Sequence, residues 1–143
     1  MIKKLILFLF LVVANFRVTA EHVTVIGGQE NPTITRNEVR QLFLLKRKRF
    51  STGELSTLIQ MSPKSTLHRS FVREVLGMNI EDYNKVIDNS NNSGFSGNII
   101  TVSNQEEMIN KVGNVNNSIG YIDSNFILIN SLNNNVTVYK IIE

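Results

Sequence analysis

The sequence predicts an α/β domain in which helices flank a mostly parallel central sheet. Short apolar runs with strand-like composition alternate along the chain with capped helical segments, which is typical of layered α/β domains. The chain has 143 residues, 42% of them hydrophobic, which is enough to bury the core of one domain and too few for two. Because there is no cysteine, a fold built on disulfides or on zinc bound by thiolates is excluded.

Four short apolar runs have the length and composition of buried strands. They cover residues 22–26, 55–61, 99–102 and 119–122. We expect the runs at 55–61 and 99–102 to be neighbours, with Phe71 in the core beside them. Near the C-terminus, residues 126–129 and 136–142 flank the asparagines at 133–135, a pattern that indicates a closing β-hairpin.

Four helices are predicted between these strands from apolar residues at helical spacing and from start and stop signals. Thr35 with Glu38, and Ser103 with Glu106, have capping-box spacing. The first predicted helix covers residues 36–45. The second is opened by Ser62-Pro63, includes residues 66–76 and ends at Gly77. The third is capped by Asn79, and the fourth stops at Gly113. Residues 88–98 are polar and contain glycine, so we expect a loop there.

The first twenty residues have the layout of a secretory signal peptide. Lys3 and Lys4 precede an apolar run over residues 5–14, and Val18-Thr19-Ala20 resembles a signal-peptidase site. The run has about half the length that a membrane-spanning helix requires. We therefore expect residues 1–20 to be removed and residues 21–143 to form a periplasmic or secreted domain without a stable membrane span. The alternative is an uncleaved anchor.

The charge of this exported domain bears on its partners. Removing residues 1–20 removes three basic residues and no acidic one, which leaves twelve of each sign. A domain without net charge has no basic field over its whole surface, so we expect no nucleic-acid partner.

The side chains available for chemistry argue against an enzyme. A nucleophilic mechanism needs a base, and His22 and His68 are the only histidines. His22 lies beside the expected mature N-terminus, and His68 is expected to be a partly exposed residue in the first turn of a helix. The sequence contains no P-loop, zinc-protease or nucleophile-elbow pattern. We expect no catalytic residue, no metal and no cofactor; a hydrolase is the weakest alternative.

Two segments carry features of binding sites. Four adjacent cations at residues 46–49 precede Phe50; they could contact a phosphate chain, an anionic lipid surface or an acidic partner, or form a solvated loop at a helix end. In the second segment, Ser62, Ser65 and Thr66 lie between a strand and a helix whose first-turn amides point outward. Arg69 follows closely. This segment predicts an anion site, and its alternative is an ordinary helix cap.

The order of these segments resembles the small, single-lobe relatives of phosphate ABC transporter substrate-binding proteins, in the type 2 periplasmic binding protein-like family. The resemblance covers residues 22–123. It is carried by the exported start, Asn31-Pro32, residues 34–44 (ITRNEVRQLFL), residues 46–53, residues 62–71 (SPKSTLHRSF), residues 75–77, the strand and helix over 99–112, and residues 119–122 (IGYI). Two positions depart from the family. Leu45 replaces a glycine, so the loop is expected to turn differently, and Met61 lies near the position of an arginine that precedes the phosphate loop.

The resemblance implies an exported, non-enzymatic binding domain with the fold of one lobe of a phosphate-binding protein. It implies a weak site for phosphate or another small oxyanion at Ser62, Ser65, Thr66 and Arg69. In the alternative, the fold serves as a protein-interaction or sensory module, and residues 46–49 contact another protein. A homodimer mate is a further partner that the single lobe would accommodate.

Overall fold

The computed structural model describes residues 22–28, 33–92, 98–129 and 135–143. The expected signal peptide and the Asn31-Pro32 loop lie outside these ranges. In chain order the elements are β1 Val23–Gly27, β2 Thr33–Thr35, α1 Arg36–Phe43, β3 Thr57–Met61, α2 Thr66–Glu74, α3 Ile80–Asn92, β4 Ile99–Val102, α4 Gln105–Asn114, β5 Ser118–Asp123, α5 Ser124–Ile129, β6 Thr137–Val138 and β7 Lys140–Ile142.

The predicted α/β architecture is confirmed. The central sheet has the strand order β4-β3-β5-β1-β6, and β3 pairs in parallel with both β4 and β5. Strand β1 runs antiparallel to its two neighbours, β5 and β6, so four of the five strands point the same way. A separate two-stranded sheet joins β2 to β7 in parallel. The predicted adjacency of β3 and β4 is correct, with Leu58 opposite Ile99.

Strand β5 shows how helices cover both faces of the sheet. Its Tyr121 ring stacks on Phe71 of α2, with ring centroids 3.9 Å apart. Its neighbour Gly120 faces α4, where an added methyl group would lie 2.5 Å from the Met108 sulfur. Successive residues of a strand point to opposite faces, so α2 and α4 lie on opposite sides of the sheet. Phe71 is fully buried, as predicted.

The helix caps are close to the predicted ones, with two changes of detail. The Thr35 hydroxyl accepts the Glu38 amide hydrogen as expected, but the Glu38 carboxylate bonds to the amide and hydroxyl of Ser51. The capping box predicted at Ser103 and Glu106 is displaced by one residue along the chain. Asn104 caps α4 by accepting from the Glu107 amide, and the Glu107 carboxylate accepts from the Ser103 amide. The same spacing occurs one residue later, which the pattern alone does not resolve.

Several helix boundaries also differ from the predictions, and α1 and α2 each end two residues earlier than predicted, at Phe43 and Glu74. Helix α2 begins at Thr66, because residues 62–65 first form a turn in which the Ser65 amide donates to the Ser62 carbonyl. Helix α4 continues one residue beyond Gly113, to Asn114. Gly77 has φ +68° just beyond α2, which is consistent with the predicted stop.

Helix α3 extends into the predicted loop at residues 88–98 and ends at Asn92. Ser90 lies on the buried stripe of this helix, three residues after Ile87, and its hydroxyl donates to the Ile87 carbonyl. The residues around Ser90 are polar because they face solvent. Their composition therefore resembled that of a loop.

The predicted C-terminal hairpin is wrong. Residues 126–129 belong to α5 rather than to a strand, and residues 136–142 contribute to two different sheets, with β6 beside β1 and β7 beside β2. Short apolar runs fit a strand and a buried helix equally well. Here the Asp123 carboxylate accepts the Asn125 amide hydrogen at the turn between β5 and α5.

The loop after α1 contains a residue in the left-handed backbone conformation. Leu45 has φ +58°, the left-handed conformation that glycine adopts most easily. Whether this loop turns differently from the corresponding loop of the family stays a prediction. Within the described residues, no helix is both long and apolar enough to cross a bilayer.

Candidate functional site

The turn between β3 and α2 lies at the carboxyl end of the central parallel strands. The Ser62 amide donates to the Val102 carbonyl, 2.9 Å away, which joins this turn to the end of β4. In open α/β sheets, ligands bind outside the carboxyl ends of the strands. The turn thus occupies the position at which this kind of sheet presents a site.

The structure brings Ser62, Ser65 and Thr66 together on this turn. The Ser65 hydroxyl oxygen caps α2 by accepting from the His68 amide, at 3.4 Å, and the Ser62 hydroxyl oxygen accepts from the Lys64 amide, also at 3.4 Å. Each hydroxyl uses an oxygen lone pair in these contacts, so its hydrogen can still be donated elsewhere. Thr66 is exposed and both serines are half-buried. This arrangement can donate hydrogen bonds to an approaching anion.

Arg69 lies on the first turn of α2, where its amide donates to the Ser65 carbonyl. Its side chain is exposed and lines a groove shared with Arg73 and the first turn of α3, where Glu81 and Asp82 are located. The predicted set of four residues is therefore three neighbours on the turn and one cation farther along the helix.

The sequence reasoning missed a buried polar network beneath the turn. The Tyr121 hydroxyl accepts the Met61 amide hydrogen at 2.9 Å and contacts Nδ1 of His68. The Tyr121 hydroxyl therefore links the backbone at the end of β3 to the imidazole ring of His68 on α2. The expectation of a partly exposed His68 is wrong, since the side chain is 1% exposed. A signal was present: His68 lies three and four residues before Phe71 and Val72, on the same buried stripe.

The network has a third ring, that of Tyr83, which packs against His68. Burial favours the neutral form of all three ring groups. It lowers the pKa of His68 from 6.5 to about 4, and it raises the pKa values of Tyr83 and Tyr121 above 10.0. The Tyr83 hydroxyl donates to the Gln60 side-chain oxygen at 3.2 Å. The network holds the end of β3 against α2 and α3. Among the described residues, no group of three histidine, aspartate or glutamate side chains could hold a metal ion.

The buried histidine makes stability depend on pH. The unfolded chain takes up a proton on His68 near pH 6.5, whereas the folded protein takes it up only near pH 4. The free energy of unfolding is therefore highest above pH 6.5 and falls as the pH drops toward 4, by up to about 3 kcal/mol from this residue. Urea unfolding of the wild type and of His68→Gln, at pH 7 and pH 4.5, measures this contribution as a difference. Equal losses in both proteins would contradict it.

The described fold is similar to part of the fold of phosphate ABC transporter substrate-binding proteins of known structure. PstS from Borrelia burgdorferi is 18% identical with a TM-score of 0.63, and the match covers 85% of this chain and 47% of that one. A substrate-binding protein with bound phosphate from Clostridium perfringens is 15% identical with a TM-score of 0.60, covering 85% and 45%. A phosphate transport receptor from Vibrio cholerae is 11% identical with a TM-score of 0.60, covering 85% and 46%.

This chain thus spans less than half the length of the structures that it resembles. At these identities the similarity establishes the fold. No family model matches the sequence, and no curated protein matches it.

Proposed function

We propose that this chain is an exported, non-enzymatic binding domain with a weak phosphate or oxyanion site at the start of α2. The observation that carries the proposal is electrostatic. Among the described helices of eight residues or more, α2 alone has no acidic residue in its first turn, whereas α1, α3 and α4 each carry one or two. Acidic side chains at a helix N-terminus compensate its positive end and repel anions. Helix α2 instead offers an uncompensated positive end.

The chemistry of the turn supports the same proposal. Ser62, Ser65 and Thr66 supply hydroxyl groups there, and Lys64 adds an exposed cation. Three of the structures that share the fold are named for phosphate transport or binding. Arg69, which lines the α2–α3 groove, would add positive charge near this turn.

A phosphate titration followed by amide NMR tests the site. Phosphate should shift the amide signals of residues 62–68, and Ser65→Ala combined with Thr66→Ala should abolish these shifts. The matched control is Ser103→Ala, which removes a hydroxyl group at the start of α4, where Glu106 and Glu107 oppose an anion. Equal shifts at both helix starts would show that phosphate does not distinguish α2.

Export is the second part of the proposal, with residues 1–20 as a signal peptide and residues 21–143 as a periplasmic or secreted domain. Lys3, Lys4 and the apolar run that follows them support it. N-terminal sequencing of protein recovered from the exported fraction should begin at Glu21. A start at Met1 in that fraction would contradict the cleavage.

The second candidate function is a protein-interaction or sensory module that keeps the fold without transporting a ligand. The basic residues at 46–49 favour this alternative, because three of the four are exposed and can contact an acidic partner. A phosphate titration without any response at residues 62–68 would favour it over the oxyanion site.

A further inference from the structure

A pocket of about 210 Å³ lies at the end of the sheet opposite the β3–α2 turn. We call it the basal pocket. Its apolar lining residues are Leu45, Leu55, Leu58 and Ile99, and its cationic ones are Arg47 and Lys48. Leu58 and Ile99 face each other near the amino ends of β3 and β4. Ser62 is four residues farther along the chain from Leu58, which corresponds to about 13 Å. The basal pocket is therefore separate from the proposed oxyanion site.

Two leucines in the apolar wall of the basal pocket, Leu45 and Leu55, have features that are unfavourable in a folded chain. Leu55 is 46% exposed, the highest value among the three exposed large apolar residues of the described structure. Leu45 adopts φ +58°, a backbone conformation that is strained for a residue with a side chain and that glycine adopts without strain. Because the strained Leu45 and the exposed Leu55 line the same small pocket, the two together point to a role in binding.

The basic residues beside the pocket are held in an ordered loop. The Ser56 amide and hydroxyl both donate to the Lys48 carbonyl at 2.9 Å, and the Arg49 guanidinium donates to the Gly53 carbonyl at 2.9 Å. Phe50 anchors the loop in the core with 3% exposure. Because the loop is already ordered, a ligand that binds it bears a smaller entropic cost.

The charge around the pocket is strongly one-sided. From residue 46 to residue 56 there are four basic residues, Lys46 to Arg49, and one acidic residue, Glu54. The rest of the expected mature chain carries an excess of acidic residues that balances this cluster. The complementary ligand therefore carries carboxylates around an apolar group.

We infer that the basal pocket docks an acidic segment of a partner protein, which inserts one apolar side chain between Leu45 and Leu55 and places carboxylates on Arg47 and Lys48. The pocket is smaller than the roughly 300–1,000 Å³ of sites for drug-sized ligands, so it suits one side chain rather than a whole small molecule. A protruding side chain fits a concave pocket, whereas a flat lipid surface would reach only the exposed cations on its rim.

Fluorescence polarisation with a defined peptide tests this inference. The probe is a fluorescein-labelled peptide in which one leucine is flanked on each side by two glutamates. It should bind the purified protein at low ionic strength, and replacing its leucine by serine should weaken binding about tenfold. In the protein, Leu55→Ser and Arg47→Glu should each weaken binding by a similar factor.

Two matched variants control for general effects. Val138→Ser changes another exposed apolar residue, 40% exposed on β6, and Lys111→Glu makes the same charge change on the exposed surface of α4. Both should leave binding unchanged. The inference is overturned if the probe does not bind, if the serine peptide binds equally well, or if Leu55→Ser has no effect. Tighter binding to phosphatidylglycerol vesicles than to the peptide would also overturn it and assign the cations to a membrane.

Discussion

Replacing Phe71 by alanine is expected to lower the free energy of unfolding by roughly 3 to 5 kcal/mol. The Phe71 ring is completely buried and stacks on Tyr121 with an angle of 7° between the rings. It also meets the edge of Phe43, with ring centroids 4.8 Å apart. Removing it leaves a cavity where α2, α1 and the central strand β5 meet, and the flat rings on either side cannot close that cavity without moving a whole element.

Urea unfolding at pH 7 measures the effect, since His68 is neutral in the folded and mostly neutral in the unfolded chain at that pH. The matched control is Phe126→Ala, because Phe126 is half-buried on α5 and should lose clearly less stability. A loss below about 1 kcal/mol for Phe71→Ala would mean that α2 presents a different face to the sheet.

The parts of this fold that the sequence predicted are those set by periodicity and caps. Strand β4 was predicted at its observed bounds, and the Thr35 and Asn79 caps were predicted correctly, because an apolar run or a capping side chain acts within a few residues. The C-terminal elements were not predictable in this way. Residues 126–129 form a helix, and β6 and β7 pair with strands more than a hundred residues earlier in the chain.

The site shows the same division between local and distant determinants. The hydroxyl residues of the β3–α2 turn were found from sequence, because a strand, a cap and a helix follow one another there. The contact between His68 and Tyr121 joins residues 53 positions apart, so no local pattern indicates it. The basal pocket also depends on distant pairing, since Leu58 and Ile99 come together through the parallel register of β3 and β4.

Phosphate binding by the isolated monomer is expected to be weak, with a dissociation constant in the millimolar range or no measurable binding. A helix N-terminus favours an anion by at most about 2 kcal/mol, and hydrogen bonds from the hydroxyl groups of the turn add about 1.5 to 3 kcal/mol each. Association and ordering costs of at least about 4 kcal/mol are subtracted from this sum. The remainder is close to the about 4 kcal/mol of a millimolar constant.

One feature of this chain argues against a tighter site. Met61 is apolar and buried at the end of β3, near the position where the resemblance implies an arginine. Micromolar affinity is about a thousandfold, or 4 kcal/mol, tighter than this expectation. We therefore expect it only if a dimer mate or another partner covers the turn. Calorimetric titration of the monomer with phosphate at low salt measures the constant. A micromolar constant that Ser65→Ala and Thr66→Ala together leave unchanged would refute both the site at the start of α2 and the argument that one lobe binds weakly.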